Sequence, residues 1–258
     1  MEKQYNIDDV IRHKKRAIRK LNNMIEGFIS SGERSLIKKA DLLSYWIEDY
    51  SRYIMDEECF DPARIIRYNR GNIIRANFGF RVGSEMGGLH YAVIIEKNNA
   101  RNSSVVTVIP LSSTDGRTVH QNNVDLGGEL FAKASDRLRG LLSQAQKEQQ
   151  DIDMLISMMR DAAEKVPVND QAESFARARS EYEARRASLE KHISVIERYF
   201  SEINRMKSGS MAVMNQVTTI SKQRIHVPKK SEDFLYGITL SDSAMDKINE
   251  KMRENLIF

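Results

Sequence analysis

The sequence lacks several features that define common classes of protein. Its single cysteine, Cys59, excludes an internal disulfide and predicts a reducing, cytoplasmic location. No apolar run approaches the roughly 20 residues that a membrane-spanning helix needs, so we expect no membrane partner. The first residues, MEKQYNIDDVIRHKKR, contain no apolar segment of the kind found in signal peptides, so we expect no signal peptide.

Patterns for metal and nucleotide binding are also missing. His120 and His226 have no cysteine, histidine or aspartate partners at ligand spacing, so we predict neither a metal site nor a cofactor. The glycine-rich segment 82–88, VGSEMGG, lacks the Lys-Ser/Thr ending of a phosphate-binding P-loop. The chain has 258 residues, enough for one or two globular domains, and its net charge of +4 permits a polyanionic partner without requiring one.

Residues 1–66 have the pattern of an N-terminal helical extension. Apolar residues recur at helical spacing in two stripes, and the segment SSGE at 30–33 separates them. The basic run RHKKRAIRK at 12–20 can contact phosphates, or it can form the solvated face of an amphipathic helix. Both interpretations stay open at this point.

From residue 70 the sequence changes to the pattern of β-strands. Alternating apolar residues from Ile74 to Phe80 predict a half-buried strand. Apolar runs at 91–95 and 105–109 predict two further short strands, residues 118–126 fit another, and strand character reappears at 211–227. Such a density of short strands predicts a small barrel or sandwich, which a C-terminal helix then closes.

Residues 134–208 interrupt the strands with two long helices. Apolar residues follow alternating steps of three and four, with Glu148 as the interruption in the first helix. Asp170 and Glu173 form a capping box for the second helix. Two helices of similar length joined by VPVND predict an inserted antiparallel coiled-coil hairpin, which we interpret as a packing or oligomerisation element.

The strand segments contain several motifs in a fixed order. Residues 70–113 read RGNIIRANFGFRVGSEMGGLHYAVIIEKNNARNSSVVTVIPLSS, and residues 208–225 read SGSMAVMNQVTTISKQRI. This order resembles that of MazF/PemK-family toxins, the ribonucleases of type II toxin–antitoxin systems. The segment LSDSAMDKINEKM is similar to the closing helix of that family, with Ser241 as its N-cap. We therefore assign residues 67–133 and 209–258 to one domain.

The resemblance implies an α+β fold. Its centre would be a small SH3-like β-barrel with a C-terminal helix, as in MazF, PemK and CcdB-like toxins, to which this chain adds the N-terminal helices and the inserted hairpin. The resemblance also implies a homodimer that binds single-stranded RNA and an antitoxin protein.

The same resemblance implies cleavage of RNA without a metal, through attack of the ribose 2′-hydroxyl on the adjacent phosphate. The family arginine that follows the paired glycines is His90 here, and the family threonine at the end of the next-but-one strand is Ser112. Serine keeps the hydroxyl, whereas histidine replaces a permanent charge with a group that titrates near neutral pH. Activity through His90 would therefore depend on pH. Tyr91 also replaces the proline that usually follows the arginine.

Other residues in the matching motifs are candidates for RNA contact. They are Ser84, Glu85, Arg101, Gln216, Thr219, Lys222 and Arg224. Each candidate has an ordinary alternative: His90 can be a structural residue, Ser112 can form a turn, and Lys222 can be a strand-end charge. Without the family arginine, the domain can instead be a binding module that holds RNA, an antitoxin or another protein without cleavage, as CcdB-type toxins inhibit gyrase without cutting nucleic acid.

Overall fold

The described residues form two compact units. The structure, a computed structural model, describes residues 5–114, 116, 118–165 and 171–256, with the backbone alone at 162–165, 171–175 and 256. The first unit contains the residues up to Phe60 together with Gly79–Gly88, and the second contains Asp61–Phe78 and the residues from Leu89 onward. The grouping therefore differs from the division predicted at residue 66, because the loop 79–88 is grouped with the N-terminal helices.

Within these described ranges the chain forms five α-helices and seven β-strands. The helices are α1 (Ile7–Ser30), α2 (Arg34–Met55), α3 (Glu129–Lys165), α4 (Gln171–Arg205) and α5 (Asp242–Leu256). The strands are β1 (Ile73–Asn77), β2 (Leu89–Ile94), β3 (Val105–Ser113), β4 (Val124–Gly127), β5 (Ser210–Ala212), β6 (Thr218–Ser221) and β7 (Ile225–Val227). None of the helices in the described part of the chain combines the length and hydropathy that crossing a membrane requires.

The first unit is built on α1 and α2, the two helices that the apolar stripes predict. The Asn6 side chain accepts a hydrogen bond from the backbone N–H of Asp8 at 3.0 Å and so caps the start of α1. Among the described residues of these two helices, only Ala40 and Leu43 are buried. The basic run 12–20 is exposed along its length, which agrees with either interpretation of its role.

The second unit contains an antiparallel sheet. Its strand order is β4-β5-β3-β2-β1-β7, and β6 also pairs with β3. The strands predicted near 91–95 and 105–109 are confirmed as β2 and β3. The strand character predicted at 211–227 is confirmed as three short strands, β5, β6 and β7, which single 3-10 turns at Met214–Gln216 and Lys222–Arg224 separate. Of the strand predicted at 118–126, only the C-terminal part forms a strand, which is β4.

The alternation predicted for β1 is confirmed, since Ile74 and Ala76 are buried while Arg75 and Asn77 are partly exposed, but both faces of the sheet carry buried residues. Ile73 and Ile74 point to opposite faces of β1, and neither has exposed surface. Ile73 belongs to a core cluster with Val93 and the α5 residue Ile248. Ile74 belongs to a second cluster with Val108. The burial of Ile73 was not predicted, because this second face is covered by chain that is distant in sequence.

The long helices α3 and α4 leave and re-enter the sheet at neighbouring strands. They connect β4 to β5, which pair with Val124 opposite Ala212. With 37 and 35 residues, the helices are each about 50–55 Å long. Between them His192 Nδ1 lies 2.7 Å from Glu148 Oε2, so the residue that interrupts the apolar pattern has a partner across the pair. The predicted capping box at Asp170 lies outside the described residues, and coiled-coil geometry stays a prediction.

The C-terminal end of α4 is fixed in the main core cluster. Tyr199 is buried, its ring meets Phe234 edge to face at 5.2 Å, and its hydroxyl donates to the Asp233 carbonyl at 2.7 Å. Ile203 and Met206 belong to the same cluster. The last turn of α4 therefore has a defined position against the sheet.

The predicted N-cap of the C-terminal helix is confirmed. Ser241 precedes α5, and its hydroxyl accepts a hydrogen bond from the backbone N–H of Ala244 at 3.2 Å. The same hydroxyl donates to Glu129 Oε2 at 2.9 Å. This contact links the start of α3 to the start of α5.

Glu96, just after β2, is held by its neighbours in the ionised form. Its carboxylate accepts hydrogen bonds from the Thr107 backbone N–H at 2.7 Å and the Thr107 hydroxyl at 2.6 Å. Burial alone would raise the pKa of Glu96, but bonds from Thr107 and Asn99 and the attraction of the Lys222 ammonium lower this pKa below its usual value. The stability that Glu96 contributes is therefore present above the pKa of the unfolded chain and is lost as pH falls through the folded-state pKa.

We expect the substitution Glu96→Gln to lower the free energy of unfolding by about 1 kcal/mol at neutral pH, because it removes a charged acceptor. It should also reduce the loss of stability on acidification below about pH 4.5, since the variant has no carboxyl to protonate there. Urea unfolding over a pH series measures both effects. The control Glu197→Gln, on the exposed surface of α4, should keep the acid dependence of the wild type. Equal acid dependence in Glu96→Gln and the wild type would contradict this role.

Candidate active site

An open pocket of about 310 Å³ lies where the sheet meets the chain that leaves α4. Strands β1, β2, β3 and β5 contribute to its walls. The lining residues with polar or charged side chains are Arg75, His90, Tyr91, Ser112, Ser113, Arg205, Lys207 and Ser210. The pocket therefore combines hydroxyl groups, an imidazole and several cations.

His90 and Ser112, the two residues predicted to be catalytic, both line this pocket. Strands β2 and β3 pair with Ala92 opposite Pro110 and Val93 opposite Ile109. Continuing this antiparallel register brings His90 level with Ser112, two residues beyond the Ala92–Pro110 pair on each strand. Both side chains are half-buried. The sheet register thus explains how residues 22 positions apart in sequence reach one pocket.

Ser112 also lies beside a strand that follows the inserted helices in the sequence. It pairs with Met211 of β5, and the Thr114 backbone N–H donates to the Gly209 carbonyl at 3.1 Å. A side chain at Gly209 would overlap the Thr114 hydroxyl, so the two segments approach closely here and a larger residue would force Thr114 to shift. This pairing brings the residues that immediately precede β5 to the pocket.

Three cations of the pocket were missed by sequence analysis. Arg75 lies on β1 opposite Tyr91, while Arg205 ends α4 and Lys207 follows it. Arg75 looked like the solvent-facing member of an alternating strand. Arg205 and Lys207 fell in the segment assigned to a separate hairpin. No local pattern identifies them, because Arg75 reaches the pocket through the pairing of β1 with β2, and Arg205 and Lys207 reach it through the pairing of β3 with β5.

Arg75 is already engaged with an acidic residue of α4. One terminal guanidinium nitrogen of Arg75 forms a hydrogen-bonded ion pair with Glu202 Oε2, and both side chains are about one-fifth exposed. The other Glu202 oxygen lies 4.0 Å from an Arg205 nitrogen. Burial raises the pKa of the adjacent Tyr91, an effect that Arg75 opposes and Glu202 reinforces. Tyr91 is therefore a neutral phenol at physiological pH.

Several of the predicted RNA-contact residues lie elsewhere in the second unit and do not line this pocket. The Thr219 hydroxyl is exposed and lies 3.0 Å from the Thr107 hydroxyl across the β3–β6 pair. Arg101 is exposed in the turn between β2 and β3. Gln216 is half-buried in a 3-10 turn, and the Arg224 Nε donates to the Asn77 carbonyl at 2.8 Å.

Lys222, a candidate for contact with the RNA backbone, is buried. Its side chain is 1% exposed, and its ammonium donates to the carbonyls of Ala100 at 3.1 Å and Arg101 at 3.4 Å. The ammonium also lies 5.8 Å from the centre of the Tyr68 ring. Burial lowers the pKa of Lys222, and the nearby Glu96 partly offsets that effect. Lys222 therefore stabilises the 100–101 turn from inside.

Ser84 and Glu85 belong to the loop 79–88 of the first unit. Within that loop the Gly88 backbone N–H donates to the Gly79 carbonyl at 2.8 Å, which closes the loop at its base. Gly79 has φ +80 and a side chain there would meet the Trp46 ring at 2.8 Å, so the loop requires glycine at this position. Glu85 is largely exposed, with Oε2 3.8 Å from an Arg81 nitrogen.

In the part of the chain that the structure describes, no three histidine, cysteine, aspartate or glutamate side chains are grouped so as to hold a metal ion. The pocket instead offers hydroxyls, an imidazole and cations, which are groups that bind and activate phosphate esters.

Residues 69–153 match the family model described as a PemK-like, MazF-like toxin of type II toxin-antitoxin systems. The match runs from just before β1 through β4 into the first part of α3. It confirms the resemblance for the segment that carries Arg75, His90 and Ser112. The motifs at 209–256 lie outside the match, as do the N-terminal helices. A search of curated proteins finds no match.

The burial of Lys222 leads to a prediction that separates stability from RNA binding. The substitution Lys222→Met should lower the free energy of unfolding by about 1–3 kcal/mol, because the two carbonyls lose a charged donor. Binding of single-stranded RNA by the folded protein should not change. Urea unfolding and fluorescence anisotropy measure the two quantities. The control Lys97→Met removes the same charge from an exposed position and should change stability by less than about 0.5 kcal/mol. Weaker RNA binding by Lys222→Met at unchanged stability would contradict this assignment.

Proposed function

We propose that this chain is a MazF-like endoribonuclease toxin that cleaves single-stranded RNA at a short sequence without a metal ion. One observation carries the proposal: His90 and Ser112, the positions of the family's catalytic pair, line one pocket with Arg75, Arg205 and Lys207. The family match over residues 69–153 supports the class of reaction. The cations support an anionic substrate.

The proposed reaction is a transfer within the substrate. The ribose O2′ forms a bond to the adjacent phosphorus as it gives up its proton to a base, and the bond from phosphorus to O5′ breaks as that oxygen receives a proton. The products are a 2′,3′-cyclic phosphate and a 5′-hydroxyl. Positive charge beside the pentacoordinate phosphorus stabilises the transition state.

Within this reaction we assign proton transfer to His90. Arg205 and Lys207 bring positive charge to the same pocket, so the histidine is not needed as a permanent cation. An imidazole, with a reference pKa near 6.5, both accepts and donates protons at neutral pH. Ser112 donates a hydrogen bond to an oxygen of the scissile phosphate, in the role of the family threonine.

Further parts of the proposal follow from the family resemblance. The antiparallel sheet would correspond to the SH3-like barrel of these toxins, and α3 with α4 to an antiparallel coiled coil. The protein would act in the cytoplasm as a homodimer and would be neutralised by an antitoxin. Outside the pocket, Ser84, Glu85, Arg101, Gln216, Thr219 and Arg224 stay candidates for contact with the flanking RNA.

The alternative is a binding module that holds RNA or a protein without cutting. One observation favours it: Arg75 is already paired with Glu202, so this arginine is not poised for a scissile phosphate. Incubating the purified protein with a long RNA in the presence of a chelator, followed by mapping of new 5′ ends, separates the two functions. Discrete 5′-hydroxyl ends support the nuclease, whereas intact RNA with retained binding supports the module.

Replacing His90 tests its assignment to proton transfer. The variant His90→Ala should cut RNA about 10²–10⁴ times more slowly than the wild type, because the reaction loses one of its proton-transfer groups. Binding of an uncleavable 2′-O-methyl RNA should change only slightly. The control His120→Ala replaces an exposed histidine outside the pocket and should cut at the wild-type rate. Undiminished cleavage by His90→Ala would remove this residue from the mechanism.

Ser112 allows a matched pair of substitutions. Ser112→Ala should slow cleavage by about tenfold or more, because a hydrogen bond to a charged phosphate is lost. Ser112→Thr restores the hydroxyl of the family pattern and should retain most of the activity. Rates of cleavage of a fluorescent RNA substrate distinguish them. Equal rates for the alanine and threonine variants would show that the hydroxyl has no part in the reaction.

A further inference from the structure

The inserted helices contribute a negative charge to the pocket as well as positive ones. Glu202, in the last turn of α4, is the residue that pairs with Arg75 of the sheet. We propose that Glu202 is a built-in competitor of the RNA phosphate for Arg75, so that the inserted hairpin sets the affinity of the pocket for its substrate. The proposal rests on the function proposed above, because it takes the competing anion to be a phosphate of RNA.

The position of Glu202 is fixed by the protein core. Tyr199, three residues earlier, is 2% exposed and is held by Phe234 and by the Asp233 carbonyl. Ile203, the next residue, is also buried in the main cluster. A side chain on such an anchored turn loses little conformational entropy when it pairs with Arg75. The ion pair is therefore a defined feature of the fold and differs from the exposed i,i+4 pairs along α4, such as Arg186 with Glu190.

Arg75 still has binding capacity for an anion. A guanidinium presents five N–H donors in a planar fork, and the Glu202 contact uses a terminal nitrogen. The Nε of Arg75 is buried, so the donors that remain for a ligand are those of the terminal nitrogens. The side chain also lines the pocket that contains His90 and Ser112. Arg75 is thus placed to bind a phosphate in the pocket, provided that the phosphate displaces the Glu202 carboxylate.

The charges of the pocket give the direction of the effect. A phosphate that enters beside Arg75, Arg205 and Lys207 is attracted by all three, and it is repelled by the Glu202 carboxylate. Removing that carboxylate makes Arg75 available to bind the phosphate and also removes the repulsion. At separations of several ångströms and an effective dielectric constant between those of protein and water, one charge changes affinity by about three- to tenfold.

The test compares the full-length wild type with Glu202→Gln, which keeps the shape of the side chain and removes its charge. The probe is a fluorescently labelled 2′-O-methyl oligoribonucleotide, which cannot be cleaved through a 2′-hydroxyl, and anisotropy gives its dissociation constant. The matched control is Glu197→Gln, which removes the same charge from an exposed position on the same helix. Thermal melting of each variant verifies that it is folded.

We expect Glu202→Gln to bind the oligonucleotide about three to ten times more tightly, and Glu197→Gln to differ from the wild type by less than twofold. On a cleavable RNA, Glu202→Gln should lower KM with little change in kcat, since the carboxylate opposes binding in ground state and transition state alike. Unchanged or weaker binding by folded Glu202→Gln overturns the proposal. Equal tightening by both variants also overturns it, because the effect would then be one of net charge alone.

Two further results keep the test decisive. If Glu202→Gln does not fold, the variant Glu202→Asp replaces it, because its side chain is one methylene shorter and moves the carboxylate away from Arg75. Tighter RNA binding by Glu202→Asp supports the proposal, and unchanged binding overturns it. The binding assay does not depend on catalysis. Tighter binding by Glu202→Gln with no cleavage by any variant therefore counts against the nuclease alone, and cleavage by the wild type with unchanged KM in Glu202→Gln counts against the competitor alone.

Discussion

The pairing of β3 with β5 is the contact on which the pocket depends. It joins a strand that precedes the long helices to one that follows them, with Ser112 opposite Met211. Because β5 starts only a few residues after α4 ends, the same pairing brings Arg205 and Lys207 to the strand that carries Ser112. The second half of the site comes from β2, whose register with β3 sets His90 level with Ser112. Backbone hydrogen bonds of the sheet thus assemble chemistry from three distant parts of the sequence.

This arrangement explains which parts of the molecule were predictable. The helices of the N-terminal extension, strands β2 and β3 and the Ser241 cap each follow from local spacing, and the two catalytic candidates follow from a motif. The burial of Lys222 was not predicted, because it depends on a turn about 120 residues away, whose carbonyls it binds. Arg75 and Arg205 were missed for the same reason. Their significance arises from a tertiary pairing that periodicity within a single segment does not encode.

The long helices also contribute to the site, which sequence analysis did not predict. As a separate hairpin they would be a packing or oligomerisation element. In the structure their base is part of the core, and the last turn of α4 brings both an acid and cations to the sheet. The balance of charge around His90 is therefore shared between strands within residues 69–153, which the family model matches, and the end of α4, which lies outside the match.

The position of the two helices between adjacent strands has a structural consequence. The chain leaves the sheet after Gly127 and returns at Ser210, and these two residues face each other across one strand spacing of about 4.8 Å. A gap of that size is one that an ordinary hairpin turn of a few residues bridges. The outer part of the two helices can therefore vary in length while the strand order stays the same, whereas their base, which is part of the core, keeps the ionised groups of the last turn of α4 in place.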